Sequence, residues 1–550
     1  MQRRKLLKLG ALTAANISLL SYGYRKHFYT PTPKVNIHYP GLPFGHLTRK
    51  KELVEISAKY KCKVLILGSG GAGLSAAWYL KKNNFTDFIL AEGFEKNGNN
   101  ASFNYEDLTA PSAAHYLALP SQESVFVREM LEDLKILEEG KNNKTPTYRE
   151  IDLVHSPAER LFYKQKWQEG FLPELDKDTV RFFEFINKIK GLYGKDKRKI
   201  FSIPIAEMAA DNDYLELDDI SFKEWLKREK YYSFSLKWYL DYCCRDDYGR
   251  GINEISAFAG LHYFAARNNE LDSVLTWNGG LSYIAEKLRE YIEFVEIKDD
   301  ILLNNAINKP KSINFAALEV REKEDFVEVV LINPKTQKSI LIQAEQVISA
   351  MPLMVAKYVI NEFYKYAKVG INEELNLPVY SPWLVSNFVL NRFPKEQKNT
   401  AMSWDNVIYG SDALGFVYSR HQEIFTAKPK KAILTSYSAL NQLPAIEMRK
   451  KLKSISKTRL LHIASKDLIK VYGKRFWNCV EYVDIAIRGH AMCSPLPGYL
   501  TNQTLINLRN HHSRIFFAHS DLSGYSIFEE ANYWGVMAAK KILQNSDNSV

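Results

Sequence analysis

Three glycines in the stretch KVLILGSGGAGLSAAWYLKK, Gly68, Gly70 and Gly73, stand at the spacing G-x-G-x-x-G that cradles a pyrophosphate. Gly68 permits the tight turn, Gly70 lets the backbone approach the phosphates, and Gly73 lets a helix pack closely on its strand. The free N–H groups of Ser69, Gly71 and Ala72 and the positive end of the helix dipole complete the anion cradle. Glu92, nineteen residues beyond Gly73, ends the next apolar run, DFILAE. Its carboxylate is expected to accept hydrogen bonds from both ribose hydroxyls and to repel a 2′-phosphate. These residues together point to a bound dinucleotide.

Such a cradle works only if a strand and a helix hold it. Lys63 to Leu67 reads as a buried parallel strand, and LSAAWYLKK continues with helical apolar spacing. A hydride-exchanging dehydrogenase would continue in consecutive βα units. Here Glu123 to Lys287 is instead rich in aromatic, charged, helix-like segments such as SFKEWLKREKYYSFSLKWYLDYCC. Strand patterns return at FVEIKDDILLNNAINK, FVEVVLINP and SILIQAEQVISAMP, and Gln346 to Pro352 is expected to run back under the glycine turn. Only one glycine fingerprint is evident, so no second domain for a nicotinamide reductant stands out.

The 550 residues, 46% hydrophobic and 25% charged, are those of an ordinary multi-lobed globular chain. The formal charge of +11 is spread among interleaved acids; GKDKRKI (Gly194 to Ile200) and MRKKLKSISKTR (Met448 to Arg459) read as solvated helix faces, and nucleic-acid binding is not expected. Five cysteines, with Cys243 and Cys244 adjacent, give no disulfide framework, and the pair is read as two buried thiols. No CxxC or HExxH pattern occurs, and His511 and His512 are neighbours whose side chains diverge, so no metal site is expected. Walker A and GxSxG patterns are absent.

At the amino end, Arg3, Arg4 and Lys5 precede a mildly apolar run from Leu6 to Tyr24, the order of an export signal, and the paired arginine resembles a twin-arginine signal. The expectation is an exported protein, periplasmic or attached to the outer face of the inner membrane, and cytoplasmic if the signal is not used. The run is too polar for a membrane span, and no clean cleavage site precedes Arg25.

The chain resembles the flavin-containing amine oxidase superfamily, which includes monoamine oxidases, protoporphyrinogen oxidase and phytoene desaturases, and looks closest to a bacterial group of exported FAD-dependent oxidoreductases. The likeness spans most of Cys62 to Leu543 and rests on the glycine turn, the acid with its loop EGFEKNGNN, AAHYLALP, VISAMP and the terminal IFFAHSDLSGYSIFEEANYWGVMAA. It implies FAD, and because no cysteine or histidine is identified to carry the flavin covalently, tight noncovalent binding is expected. By similarity Asp521 takes a ribityl hydroxyl, and the backbone N–H groups of Glu530 and Ala531 lie against the pyrimidine end of the flavin, where a helix N-terminus stabilises the negative charge of the reduced ring. Gly98, Ala114 and Ile307 complete the expected cofactor set. Two departures stand out. The family's Gly-Gly and arginine are replaced by Lys96, Asn97, Gly98, Asn99 and Asn100, of which Asn tolerates a left-handed backbone. In AAHYLALP, Ala114 stands where the family often has glycine.

The fold class expected is α/β: a Rossmann-like FAD-binding domain assembled from discontinuous segments, with an inserted mixed α+β substrate domain. The divisions are a signal-like segment 1–30, FAD-binding segments 61–120, 289–355 and 486–550, an inserted helical substrate domain 121–288, and a second substrate part 356–485. The expected reaction moves a hydride from an amine or related reduced carbon to the flavin. A polyene or lipid desaturase or isomerase is the alternative within the superfamily, and a non-catalytic flavin-fold scaffold is the alternative outside it. His115 and Tyr116, by similarity near the flavin, and His490, as a proton carrier, are the catalytic candidates. Trp277, Tyr283, Trp404 and Tyr409 are candidate aromatic walls. His519 stands beside Asp521 with the same two readings as His490, proton carrier or structural ring. Arg245, Asp246 and Asp247 read either as a charged pocket element or as a surface helix end. IRGHAMCSPLPGYL (Ile487 to Leu500) reads as a proline-bearing loop. The partners expected are a small-molecule substrate and a peripheral membrane contact, with the electron acceptor left between dioxygen and a quinone.

Overall fold

The computed structural model describes residues 33–547 except 43, 50–54, 212, 268–272, 298–308, 371 and 424–428. The signal-like segment 1–30 and Ile307 lie outside the described residues. Two eight-stranded sheets organise the rest.

The first sheet carries the glycine turn. Its central strand is Ile56–Leu67, seven residues longer at the front than the apolar run from Lys63 indicates. The extension is missed by hydrophobicity because Lys59 and Lys61 are exposed and alternate with half-covered Ala58 and Cys62 and buried Tyr60. Val64–Leu67 pair in parallel with Phe88–Ala91 on one side and with Gln346–Ser349 on the other. Val347–Ser349 in turn pair with Ile515–Phe517. Four parallel strands from distant parts of the chain therefore end side by side, which is where open α/β sheets bind ligands.

Helix Gly71–Lys82 is nearly all buried, and the C-terminal helix Phe528–Asp547 crosses it closely. The contact depends on Gly535, where a Cβ would stand 2.3 Å from the Ala72 carbonyl oxygen.

The second sheet runs in the order Lys34–His38, Val480–Ser494, Val379–Leu390, Ala432–Ala439, Phe416–Tyr418, Asp405–Ile408, Glu159–Tyr163, Lys166–Glu169. The boundary expected between 485 and 486 falls inside the strand Val480–Ser494. The same strand corrects the reading of Ile487 to Leu500 as a loop: residues as far as Ser494 pair with Val379–Leu390, so cross-strand hydrogen bonds overrule the local weakness of Gly489. Helices Lys177–Lys190, Phe222–Arg228, Phe234–Tyr248 and Ala257–Ala265 form the inserted lobe. Its core is aromatic, with Phe182 against Phe222, Trp225, Tyr231 and Phe264. The five cysteines are free thiols, and Cys243 and Cys244 are buried. Among the described residues no helix is long and apolar enough to cross a membrane, and no cluster of ligating side chains could hold a metal ion.

Candidate functional site

A cavity of about 1070 Å³ runs along the carboxyl ends of the parallel strands, bounded by Gly68–Ala72, Glu92, Gly98, Met351, Asp521 and Ala531. Gly68 holds φ at +105°, a left-handed value, and its N–H donates to Ala91 O at 2.8 Å. A Cβ on Gly73 would stand 1.9 Å from Gly68 O, whereas one on Gly70 would meet nothing within 4 Å. Gly73 is therefore demanded by packing, and Gly70 faces the open groove as a phosphate cradle requires.

Ser69 ties the turn to the ribose acid: its hydroxyl donates to Glu92 O at 3.0 Å and accepts from the Asn97 N–H at 3.1 Å. The departure from the family's Gly-Gly loop leaves the turn intact, because Asn97 (φ 65°) and Gly98 (φ 55°) both adopt the left-handed backbone. The loop is braced by Arg488, whose guanidinium reaches Glu95 at 2.7 and 2.9 Å and donates to Ser112 O at 3.0 Å.

Glu92 is not free to act as expected. Arg289 of helix Ser282–Ile292 grips both its oxygens at 2.7 Å and also donates to Asn97 Oδ1 at 2.8 and 3.0 Å. The guanidinium cancels the charge that was to repel a 2′-phosphate, so that expectation is withdrawn. Each Glu92 oxygen keeps a lone pair, and ribose hydroxyls can still be accepted. Replacing Arg289 by methionine leaves Glu92 buried and unpaired. We expect a loss of about 3 kcal/mol in urea unfolding and weaker flavin retention.

Asp521 is fully buried, and its Oδ2 accepts from Leu353 N–H (2.9 Å) and the Tyr380 hydroxyl (2.6 Å). Oδ1 lies 3.1 Å from His519 Nδ1, but that nitrogen already accepts the Asp521 N–H at 3.1 Å and has no proton to give. Oδ1 is left without a hydrogen-bond donor. A ribityl hydroxyl is the donor it lacks. Burial pushes the Asp521 carboxyl up, while the Tyr380 hydroxyl and the Leu353 N–H on Oδ2 pull it down and favour the anion. An anionic acceptor is thus preserved in a dry setting.

The Glu530 side chain turns away from the groove, accepting from Ile205 N–H (2.7 Å) and the Ser523 hydroxyl (2.6 Å). Ala531 lines the groove, but its N–H is spent on Ile527 O at 3.3 Å, closing the first helical turn. The expectation is therefore corrected for Ala531, which contributes a wall and no backbone donor, while Phe528 and Glu529 at the same helix N-terminus face the ligand space.

Beyond Ala114 and Met492 the groove opens into an inner chamber of about 160 Å³. His115, Tyr116, Trp383 and Tyr437 form its aromatic side, and Asp246, Asp247, Glu529 and Arg267 its charged side. His115 packs on Tyr437 (centroids 4.6 Å apart), Tyr116 (5.0 Å) and Trp404 (5.5 Å). Burial pushes its pKa down to about 3, so at neutral pH it is an uncharged ring. Asp247 and Arg267 form an ion pair, with Arg267 also 4.3 Å from the centre of the Tyr263 ring. Asp246 is pushed up to about 7, first by burial and then by Asp247. Glu529 is pushed up to about 7 by burial.

CCRDDYG is therefore no surface helix end. Arg245 is only 5% exposed, bound to Asp241 at 2.9 Å, while the two aspartates after it face the chamber. His490 lies in the outer groove, away from the chamber, and is pushed down to about 3 by burial and then by Arg449 and Arg49. A proton carrier there has neither the place nor the basicity. Trp277 and Tyr283 stack on each other at 4.9 Å, with Trp277 Nε1 donating to Asp152, and line neither cavity; Gly280 and Leu281 of the same motif supply the contact with Ala114 instead. Trp404 supports His115 from behind, and Tyr409 packs remotely on Trp238 and Tyr163. Arg267, Arg289, Arg488, Trp383 and Tyr437 were not singled out by the sequence. Arg289, Arg488 and Tyr437 reach their partners 197, 393 and 324 residues away, separations that leave no local pattern, whereas Arg267 meets Asp247 20 residues away.

The flavin containing amine oxidoreductase family matches residues 72–383. The fold is similar to putrescine oxidase bound to putrescine (TM-score 0.59, 13% identity, covering 88% of this chain and 100% of that one). It is similar to cyclohexylamine oxidase from Brevibacterium oxydans IH-35A (TM-score 0.59, 13% identity, 88% and 99%). It is also similar to a fatty acid isomerase from P. acnes that produces CLA (TM-score 0.54, 12% identity, 87% and 98%). At these identities the likeness is one of fold. No curated protein matches the sequence.

Proposed function

Since the chain belongs to the flavin-containing amine oxidoreductases, with the family match spanning more than half its length, we propose that it is an FAD-dependent oxidase or dehydrogenase of a cationic amine. The observation that carries this reading is the inner chamber, where Asp246, Asp247 and Glu529 stand across aromatic walls from two guanidiniums, of which Arg267 is paired with Asp247 and Arg488 with Glu95. Such a lining attracts an ammonium group and shields it from bulk water. A long polyene would have to bring hydrocarbon against these carboxylates in a chamber of about 160 Å³, which weighs against the desaturase or isomerase reading.

Gly68–Ala72, Glu92 and Asp521 would hold the cofactor, expected to be noncovalent. When bound, FAD supplies the two-electron acceptor for a hydride leaving the carbon next to the amine nitrogen. The protein's own part is placement and proton handling. Asp246 and Glu529, both poised near neutrality, draw in the ammonium, and either carboxylate can take its proton, leaving a neutral amine whose lone pair assists hydride departure. His115, kept uncharged, and Tyr116, its phenol pushed far up by burial, stay protonation-inert and close the apolar side.

The test is the visible spectrum of purified protein during anaerobic titration with monoamines and diamines. We expect a flavin spectrum that bleaches with an amine and returns on admission of air or a quinone, and flavin that is released on acid precipitation. Bleaching by an unsaturated fatty acid or polyene and by no amine would sink the proposal.

A further inference from the structure

The most exposed large apolar side chains of the described residues are neighbours. Phe234 is 86% exposed, Leu175 74% and Tyr232 65%. They meet where the start of helix Lys177–Lys190, the end of helix Phe222–Arg228 and the start of helix Phe234–Tyr248 converge at the tip of the inserted lobe.

The tip is built to hold them out. Asp178 Oδ2 accepts from Tyr232 N–H and, at 2.8 Å, from Ser233 N–H, while the Ser233 hydroxyl donates to Asp176. Arg181 donates to Glu229 O (2.9 Å) and Lys230 O (2.8 Å), and its guanidinium lies 3.9 Å from the centre of the Tyr231 ring. The loop 229–234 is thus clamped to the neighbouring helix, and Phe234 projects from a rigid base. Single exposed apolar residues are normal on a soluble surface; three together on a braced protrusion are not.

Charge completes the pattern. Lys177, Lys227, Arg228 and Lys230 are exposed around the tip. Of the nearby acids, Asp176 and Asp178 are turned inward onto the loop and Glu174 is held by Lys164 at 2.7 Å, which leaves Glu224, engaged with Ser221 N–H at 3.0 Å, and Glu229 exposed beside the four cations. An aromatic and aliphatic point inside a cationic ring is the chemistry of an interfacial anchor.

We propose that this tip docks the protein on an anionic lipid bilayer, with Leu175, Tyr232 and Phe234 seated at the headgroup boundary. The same helix that presents Phe234 to the lipid carries Asp246 into the chamber. At 1.5 Å per residue Asp246 lies about 18 Å along the helix axis from Phe234, which bounds the distance between chamber and docking point. Docking would bring the chamber within reach of reactants dissolved in or bound to the membrane.

The experiment is co-sedimentation of the full-length holoprotein with vesicles of phosphatidylcholine alone and of phosphatidylcholine mixed with phosphatidylglycerol, at low and high salt. We expect binding to the anionic vesicles only, weakened by salt. Phe234→Ser with Leu175→Ser, and separately Lys227→Glu with Arg228→Glu, should each lower the bound fraction's affinity about tenfold or more. Retained flavin absorbance and an unchanged melting temperature show that each variant is folded. Equal binding by the variants, or no preference for anionic lipid, overturns the proposal. So does a holoprotein dimer that the apolar variant dissociates in light scattering, which would make the tip a subunit interface.

Discussion

Gly73→Ala is expected to yield a protein that melts well below the parent and emerges without flavin, whereas Gly70→Ala melts like the parent apoprotein yet also loses its yellow colour. The two glycines stand three residues apart and differ in what a methyl group would meet. At Gly73 it would stand 1.9 Å from Gly68 O, a backbone atom. Gly68 cannot retreat, because its N–H is fastened to Ala91 O at 2.8 Å and its own Cβ position lies 3.1 Å from Ala350 O. The turn must therefore deform, at a cost of about 3 kcal/mol or more. At Gly70 the methyl meets nothing within 4 Å, so the apoprotein should change by less than about 0.5 kcal/mol. It then occupies the space through which a pyrophosphate reaches the backbone N–H groups. Thermal melting of stripped protein together with flavin absorbance of the unstripped protein separates the two. Equal melting of the two variants would show that Gly73 is not the packing glycine.

The second large effect belongs to the chamber. Asp246→Asn and Glu529→Gln keep shape and remove charge, and each should lower kcat/KM for a cationic amine about a hundredfold, the scale of losing one partner of a desolvated charge pair. The pH dependence gives the sign. Burial raises both carboxyls to about 7, so below that pH they are neutral and above it anionic. The kcat/KM of the parent should therefore rise through about pH 7, and each variant should flatten that limb. Because the two groups share one cavity, the limb reports the pair rather than either residue.

The same shifts have a consequence for stability. A carboxyl with a folded pKa above its unfolded one binds its proton more tightly in the folded state. Its contribution is fully present below the unfolded pKa near 4 and is lost as pH rises through about 7. Asp218 and Glu530, also pushed up to about 7 mainly by burial, act in the same direction. An ammonium substrate offsets the loss, so amine binding should protect the protein most at the alkaline end of this window.

Features carried jointly by neighbouring residues are legible without coordinates. The glycine turn, the strand before it, the helix after it and Glu92 at the end of the next strand are bound by steric and hydrogen-bond rules that act within about thirty residues. Asp521 and the terminal helix were legible in the same way, through their likeness to a family pattern. Pairings across the chain emerge from packing alone. Glu92 is held by Arg289, 197 residues away, and no periodicity links them. Glu529 reads on its own as ordinary charge at a helix start, and CCRDDYG as well as a surface helix end as a pocket element. Folding brings the two acidic stretches onto one enclosed space and strips their water, and it is that loss of water that moves their pKa values to about 7. His490 shows the converse. Its strand carries it into the outer groove among arginines, so a residue type suited to proton transfer ends up uncharged and outside the chamber's lining. A side chain's chemistry belongs to its type, but its ionisation and its partners belong to the low-dielectric, crowded setting that long-range packing creates.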